Sequence, residues 1–187
     1  MGGTVKVVRI VVVGAGEVGS YVADLLSREG NDVVVVDERR EPLTRIERDN
    51  DVLTVVGDAT NPSTLLEAEV NKAEVLVAVT QSYKTNLLVC LQVRQARGEE
   101  PLSTIARIDD PELRGPAGRK IREAMGVDLV LDPDEQTAGA IQELLLYRGA
   151  RNLYEMAGGE VLLVGARLTE DAPIVGRSVG EIGAAYE

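Results

Sequence analysis

Residues 10–19 read IVVVGAGEVG, and the reading of this stretch decides the fold. An apolar run rich in β-branched residues passes directly into Gly14-x-Gly16-x-x-Gly19. The run predicts a strand buried on both faces, and the glycines predict a tight turn into a helix. In such a loop one glycine allows the turn, one lets backbone approach a pyrophosphate, and one lets the helix pack on the strand. The helix then presents unpaired N–H groups and the positive end of its dipole to an anion. A second apolar run ends at Asp37, about twenty residues on, where a dinucleotide site places an acid. Gly14, Gly16 and Gly19 are therefore candidate phosphate-binding positions, and Asp37 is a candidate ribose ligand.

Outward from this stretch, strand and helix patterns alternate. Residues 7–13, 33–36, 52–56, 75–79, 104–107 and 127–131 read as strands. Residues 17–29, 42–48, 62–69, 84–97, 111–125 and 134–147 read as helices, with Gly115-Pro116 interrupting the fifth. Six strands so spaced imply an α/β fold, a Rossmann-like doubly wound parallel sheet ordered 3-2-1-4-5-6, over residues 1–150. The pattern changes in residues 151–187. There, 152–156 and 161–168 read as two strands joined at Gly158-Gly159, and Ser178-x-x-Glu181 is a capping-box pattern. A helix begun at that box has about two turns, below the length at which isolated helices hold. Residues 151–187 thus read as the linker and start of a small α+β C-terminal module, cut short or completed by a partner.

Composition narrows the function. Asp and Glu outnumber Lys and Arg by 31 to 20, a net charge of −11, which argues against nucleic acid as a partner. The chain has no histidine, the commonest general base and metal ligand, and no catalytic or metal-ligating set emerges. Cys90 is the only cysteine; it excludes an internal disulfide and reads as a small buried hydrophobe. No apolar run is long enough to span a bilayer and no signal peptide precedes the first strand, so the expectation is a soluble, cytoplasmic protein.

Further candidates lie near the ends of the strands. Glu17 occupies a variable position of the loop, where its carboxylate disfavours an extra terminal phosphate; Val18 is next to it. A 2′-phosphate about 4 Å from Asp37 would meet a repulsion on the order of 4 kcal/mol per unit charge. That favours NAD(H) or an adenosine nucleotide over NADP(H). Glu38 follows Asp37, and Arg39 and Arg40 read as solvated or ligand-rim charges. In Gly57-Asp58-Ala59-Thr60, either Asp58 or Thr60 caps a helix, or the backbone of Asp58 and Ala59 meets an adenine edge. Thr80 and Asn86 fit either capping or ligand roles. Arg107 either pairs with a carboxylate such as Asp109 or faces phosphates.

The segments GAGEVG, VVVVDE, VVGDAT, VTQSYKTN (79–86) and IARIDDPE around Arg107 resemble the RCK (KTN) family. These are the Trk/Ktr-type regulatory subunits of potassium uptake systems and the gating rings of potassium channels. The similarity covers nearly all of residues 7–146, and APIVGRSVGEIG resembles the opening of the family's smaller C-terminal domain. The resemblance implies a regulatory, non-enzymatic domain that binds NAD(H), with ATP/ADP as the alternative. It implies a homodimer, and a higher ring of such dimers, beneath a membrane-embedded potassium transporter or channel subunit. The chain would lie on the inner face of the membrane through that partner, without inserting itself. By motif position, Gly14, Gly16, Glu17, Val18 and Gly19 would border phosphates, and Asp37 and Glu38 the ribose. Asp58, Ala59, Thr80 and Asn86 would surround the adenosine, with Arg107 near phosphates. Glu17 departs from some ATP-binding members, which carry a basic residue there.

A rival reading is the cofactor domain of an NAD-dependent oxidoreductase lacking its substrate domain. It needs a proton-handling group, and Tyr83 is not followed by lysine in a Y-x-x-x-K arrangement. A redox-sensing repressor would need a basic winged helix, which this acidic chain lacks.

Overall fold

The valines that read as strands divide alternately between two cores, as the two-residue period of a strand requires. On one face of the sheet, Ile10 and Val12 of β1 (Arg9–Val13) join Val33 and Val35 of β2 (Asp32–Asp37). They pack against Ala23 of α1 (Glu17–Arg28) and Leu43 and Ile46 of α2 (Arg40–Asp49). On the other face, Val11, Val13, Val34 and Val36 meet Leu65 of α3 (Pro62–Glu67) and Val89, Cys90 and Val93 of α4 (Tyr83–Arg97). Val11, Val12, Val35 and Val36 have no solvent exposure at all. Burial also pushes the Cys90 thiol up to about 12, which fits the reading of an inert, packed side chain.

This computed structural model describes residues 7–98, 100–146, 150–156 and 160–186. With β3 (Leu53–Val56), β4 (Val75–Ala78), β5 (Ser103–Arg107) and β6 (Leu129–Leu131), the six strands form a parallel sheet ordered β3-β2-β1-β4-β5-β6. All adjacent strands pair in parallel, as expected from the sequence. The order reverses beside β1, whose neighbours are β2 and β4. In open α/β sheets that switch point is where the carboxyl ends of the strands leave a crevice for a ligand.

One helix differs from its sequence pattern, and another breaks where its pattern places the interruption. The helix expected over 62–69 stops at Glu67; Glu69 turns left-handed at φ 52° and leads into a 3-10 turn, Val70–Lys72. The segment 111–125 divides into α5 (Pro111–Arg114), a 3-10 turn and α6 (Arg119–Ala124), because Pro116 has no N–H to continue the ladder.

The chain divides into two compact units, Met1–Asp132 and Pro133–Glu187. The sequence pattern puts the break at residue 150. The difference is α7 (Pro133–Leu146), which packs against β7 (Ala150–Met156) and so belongs with the second unit. β7 pairs antiparallel with β8 (Val161–Ala166); the expected turn at Gly158-Gly159 and the end of the α7 pattern at Tyr147 lie outside the described residues. A short helix, α8 (Val179–Tyr186), does form. Its capping box is complete: Ser178 N and Oγ donate to Glu181 at 2.7 Å each, and Glu181 N donates back to Ser178 Oγ.

Candidate functional site

The glycine loop leaves β1 at the switch point, and each glycine meets a different constraint. Gly14 sits at φ +101°, and a Cβ there would lie 2.9 Å from the backbone nitrogen of Thr80. The loop therefore touches the turn after β4 backbone to backbone. A Cβ on Gly19 would lie 1.8 Å from the Gly14 carbonyl oxygen, so the first turn of α1 can press on the loop only if residue 19 has no side chain. Gly16 is the opposite case, since a Cβ there would meet no protein atom within 4 Å. Space stands open above the loop at this one position. Gly16 is also the N-cap of α1 and brings no side chain to cap it, so the first-turn N–H groups, which have no partner within a helix, are left for another acceptor. Val18 turns its side chain into the core, leaving backbone for that role, while the Glu17 side chain is exposed.

Asp37 ends β2 beside this loop with its side chain only 7% exposed. One carboxylate oxygen accepts the Ala15 N–H at 2.8 Å, tying the acid to the glycine loop. The other accepts Arg39 N at 2.9 Å and Arg39 Nε at 3.2 Å. Burial opposes the charge, but the two backbone N–H groups and the Arg39 guanidinium outweigh it and hold the carboxyl below its ordinary value. Asp37 is thus an ionised, oriented acceptor, and Glu38 next to it is exposed. The link from Ala15 to Asp37 has no signature beyond the spacing of the two motifs. Arg39 as the partner of Asp37 was legible only as a nearby charge.

The loop after β3 is shaped by its own acid. Asp58 accepts Thr60 N at 2.8 Å and Thr60 Oγ1 at 2.7 Å, and these bonds lower its pKa. The N-cap of α3 is Asn61 rather than Asp58 or Thr60. Gln92 of α4 donates to Thr60 O at 2.9 Å and anchors the loop from behind, and Ala59 is buried.

Asn86 is fully buried. Its Oδ1 accepts Thr80 N at 3.0 Å and Thr80 Oγ1 at 2.7 Å. Its Nδ2 donates to Thr80 O at 3.2 Å and Arg107 O at 2.9 Å. All four hydrogen-bonding positions of the carboxamide are filled by protein. Asn86 is therefore a clamp behind the crevice, joining the ends of β4 and β5 through α4. Capping of α4 falls instead to Ser82, which accepts Thr85 N. Arg107 ends β5 with its Nε shielded from solvent and without a hydrogen-bond partner among the described residues; no ion pair with Asp109 occurs among them.

Along the sheet's carboxyl edge the structure thus gathers the glycine loop, Asp37 and Thr80, with Asp58, Ala59 and Arg107 at neighbouring strand ends. Among the described residues there is no cluster of metal-ligating side chains, and no helix is long and apolar enough to cross a membrane.

The model of the TrkA-N domain family matches residues 10–133. Over 172 residues the chain is 32% identical to the Trk system potassium uptake protein TrkA of Halomonas elongata, an alignment covering 92% of the chain and 37% of that protein. The chain therefore spans little more than a third of that relative. Among solved structures, the GsuK channel bound to NAD aligns at 25% identity and a TM-score of 0.62, over 78% of this chain and 24% of that one. GsuK bound to ADP aligns at 26% identity and a TM-score of 0.59, over 73% and 33%.

Proposed function

The chain belongs to the TrkA-N domain family, and on that premise we propose that it is a regulatory nucleotide-binding module rather than an enzyme. The ligand is NAD(H), with ATP/ADP as the alternative; structural neighbours carry NAD and ADP. The observation that carries the reading is the pairing of an open Gly16 with an ionised Asp37 fixed to the same loop. A pyrophosphate fits where a side chain at Gly16 would stand, facing the N–H groups of Glu17, Val18 and Gly19. Asp37 accepts ribose hydroxyls, with Glu38 beside it. The loop of Asp58 and Ala59 borders the adenosine, Thr80 lines the crevice, and Arg107 lies towards phosphates. Gly14 and Asn86 shape the site without supplying side-chain contacts to the ligand.

The nucleotide-binding domain extends through residue 150 in this reading, and residues 151–187 begin the C-terminal module. The chain pairs as a homodimer and in a higher ring, on the cytoplasmic side of a membrane-embedded potassium transporter or channel subunit. Similarity to a Trk potassium uptake protein supports that partner. Ligand binding shifts such an assembly only by the difference in affinity between its states; moving from 1:99 to 99:1 takes about 5.5 kcal/mol in total.

Titration calorimetry with NADH, NAD, ADP and ATP tests the core of this reading. NADH binds, and Asp37→Ala weakens it by about tenfold or more while the variant still melts cooperatively. Absence of binding by all four nucleotides overturns it.

A further inference from the structure

Arg39 is the residue on which the ligand choice of this site turns. It follows Asp37 by two residues, and at φ −101° and ψ 130° it is the extended N-cap of α2. Its backbone N–H and its Nε both converge on the same Asp37 oxygen. The guanidinium so placed is not a buried structural prop: its side chain is 64% exposed. It borders an open groove between α1 and α2 that begins at Ala15, Gly16 and Glu17. Arg39 therefore stands at the rim of the glycine loop with one edge on the acid.

Two consequences follow from the chemistry of this contact. A ribose 2′-hydroxyl that donates to Asp37 must share or displace the Arg39 Nε, so the free protein already fills part of the hydroxyl's place. A 2′-phosphate finds the carboxylate repulsive, but it also finds a planar guanidinium able to turn outward and pair with it. From the sequence alone, Asp37 argues against 2′-phosphorylated nucleotides. Resting on the nucleotide-binding reading above, we propose that Arg39 is a specificity-determining residue that narrows this preference, so that the site takes both NAD(H) and 2′-phosphorylated NADP(H). Asp37 holds the hydroxyl form, and Arg39 leaves Asp37 to hold the phosphorylated form.

The test is equilibrium binding of NADH and NADPH, by fluorescence or calorimetry, to the whole chain and to Arg39→Ala. Thermal melting without ligand shows that the variant is folded; an exposed guanidinium makes little difference there. The wild type binds NADPH within about 30-fold of its NADH affinity. Arg39→Ala widens that ratio by about tenfold, a change on the order of 1.4 kcal/mol. The widening comes from NADPH, which weakens by more than NADH does. A ratio that stays within twofold in Arg39→Ala overturns the proposal. So does a wild type that binds NADH but shows no NADPH binding at 100 times the NADH dissociation constant. Failure of the underlying reading is a different result: no nucleotide, phosphorylated at the 2′ position or not, binds the wild type.

Discussion

The three glycines of one loop respond to the same substitution in three ways. Alanine at Gly19 would bring a methyl to 1.8 Å from the Gly14 carbonyl oxygen, so α1 must move away from β1. Gly19→Ala should destabilise the protein by about 3 kcal/mol, at the upper end of what overpacking costs. Alanine at Gly16 meets no protein atom and its backbone, at φ −71°, suits any residue. Gly16→Ala should melt within about 2 °C of the wild type yet lose nucleotide affinity by about tenfold. Melting curves alongside calorimetry separate the two, and equal stability losses in both variants would contradict this division. The sequence pattern names all three glycines but cannot tell them apart. Their roles are set by what approaches each: the turn after β4 at Gly14, the loop's own carbonyl at Gly19, and no protein atom at Gly16. Asp37 was legible because its spacing from the loop is a property of the chain. The bonding of Asn86 is not legible in the same way, because it is a property of the fold: its bonds to Thr80 and Arg107 come together only when β4 and β5 pair.

Among the elements, α4 does the most to fix the crevice, and it does so from behind. Asn86 near its start clamps two strand ends, Gln92 holds the loop after β3, and Arg94 nearer its end reaches Asp128 at 2.8 Å. Asp128 also accepts Thr104 N at 2.8 Å, joining β5 to the approach to β6. Burial raises the Asp128 pKa, but the Thr104 hydrogen bonds and Arg94 prevail, and the carboxyl lies below its ordinary value of 3.8. A depressed folded-state pKa contributes stability that is complete above 3.8 and is lost as the pH falls through the folded value. Asp128→Asn should therefore be less stable than the wild type at neutral pH, and the difference should shrink as the pH falls below 3.8. Urea melts at pH 7 and pH 3 measure this, and a constant difference at both would exclude it. The helical pattern of α4 was plain in the sequence, as were the strands. Its polar attachments to the end of β5, the loop after β3 and Asp128 were not, because each joins residues more than twenty positions apart.

For the molecule as a whole, two kinds of packing coexist. The first unit encloses its sheet between helices and buries its apolar strands on both faces. The second offers a two-stranded sheet whose Tyr154, Met156, Val161, Leu163 and Val164 are exposed, and a lone pair of strands is marginal in water. The first unit could be read from its alternating strands and helices because that arrangement completes its own core. The second gave only a hairpin pattern and a capping box, and α7, which packs with β7, has the periodicity of the helices before it.

The single thiol on α4 turns this packing into a stopwatch. Cys90 is wholly enclosed, with its proton held to about pH 12, so a thiol reagent at neutral pH can label it only while the core is open. With fast reagent, the labelling rate counts openings of the central sheet in an otherwise untouched protein, with no competing cysteine to blur the record. Saturating NADH should slow that rate in proportion to the stability it adds, about 100-fold at 100 times its dissociation constant. A ligand that leaves the rate unchanged would not be bound to the folded form. One sulfur atom, silent in the native state, can thus time the chain's excursions and reveal which small molecules shorten them.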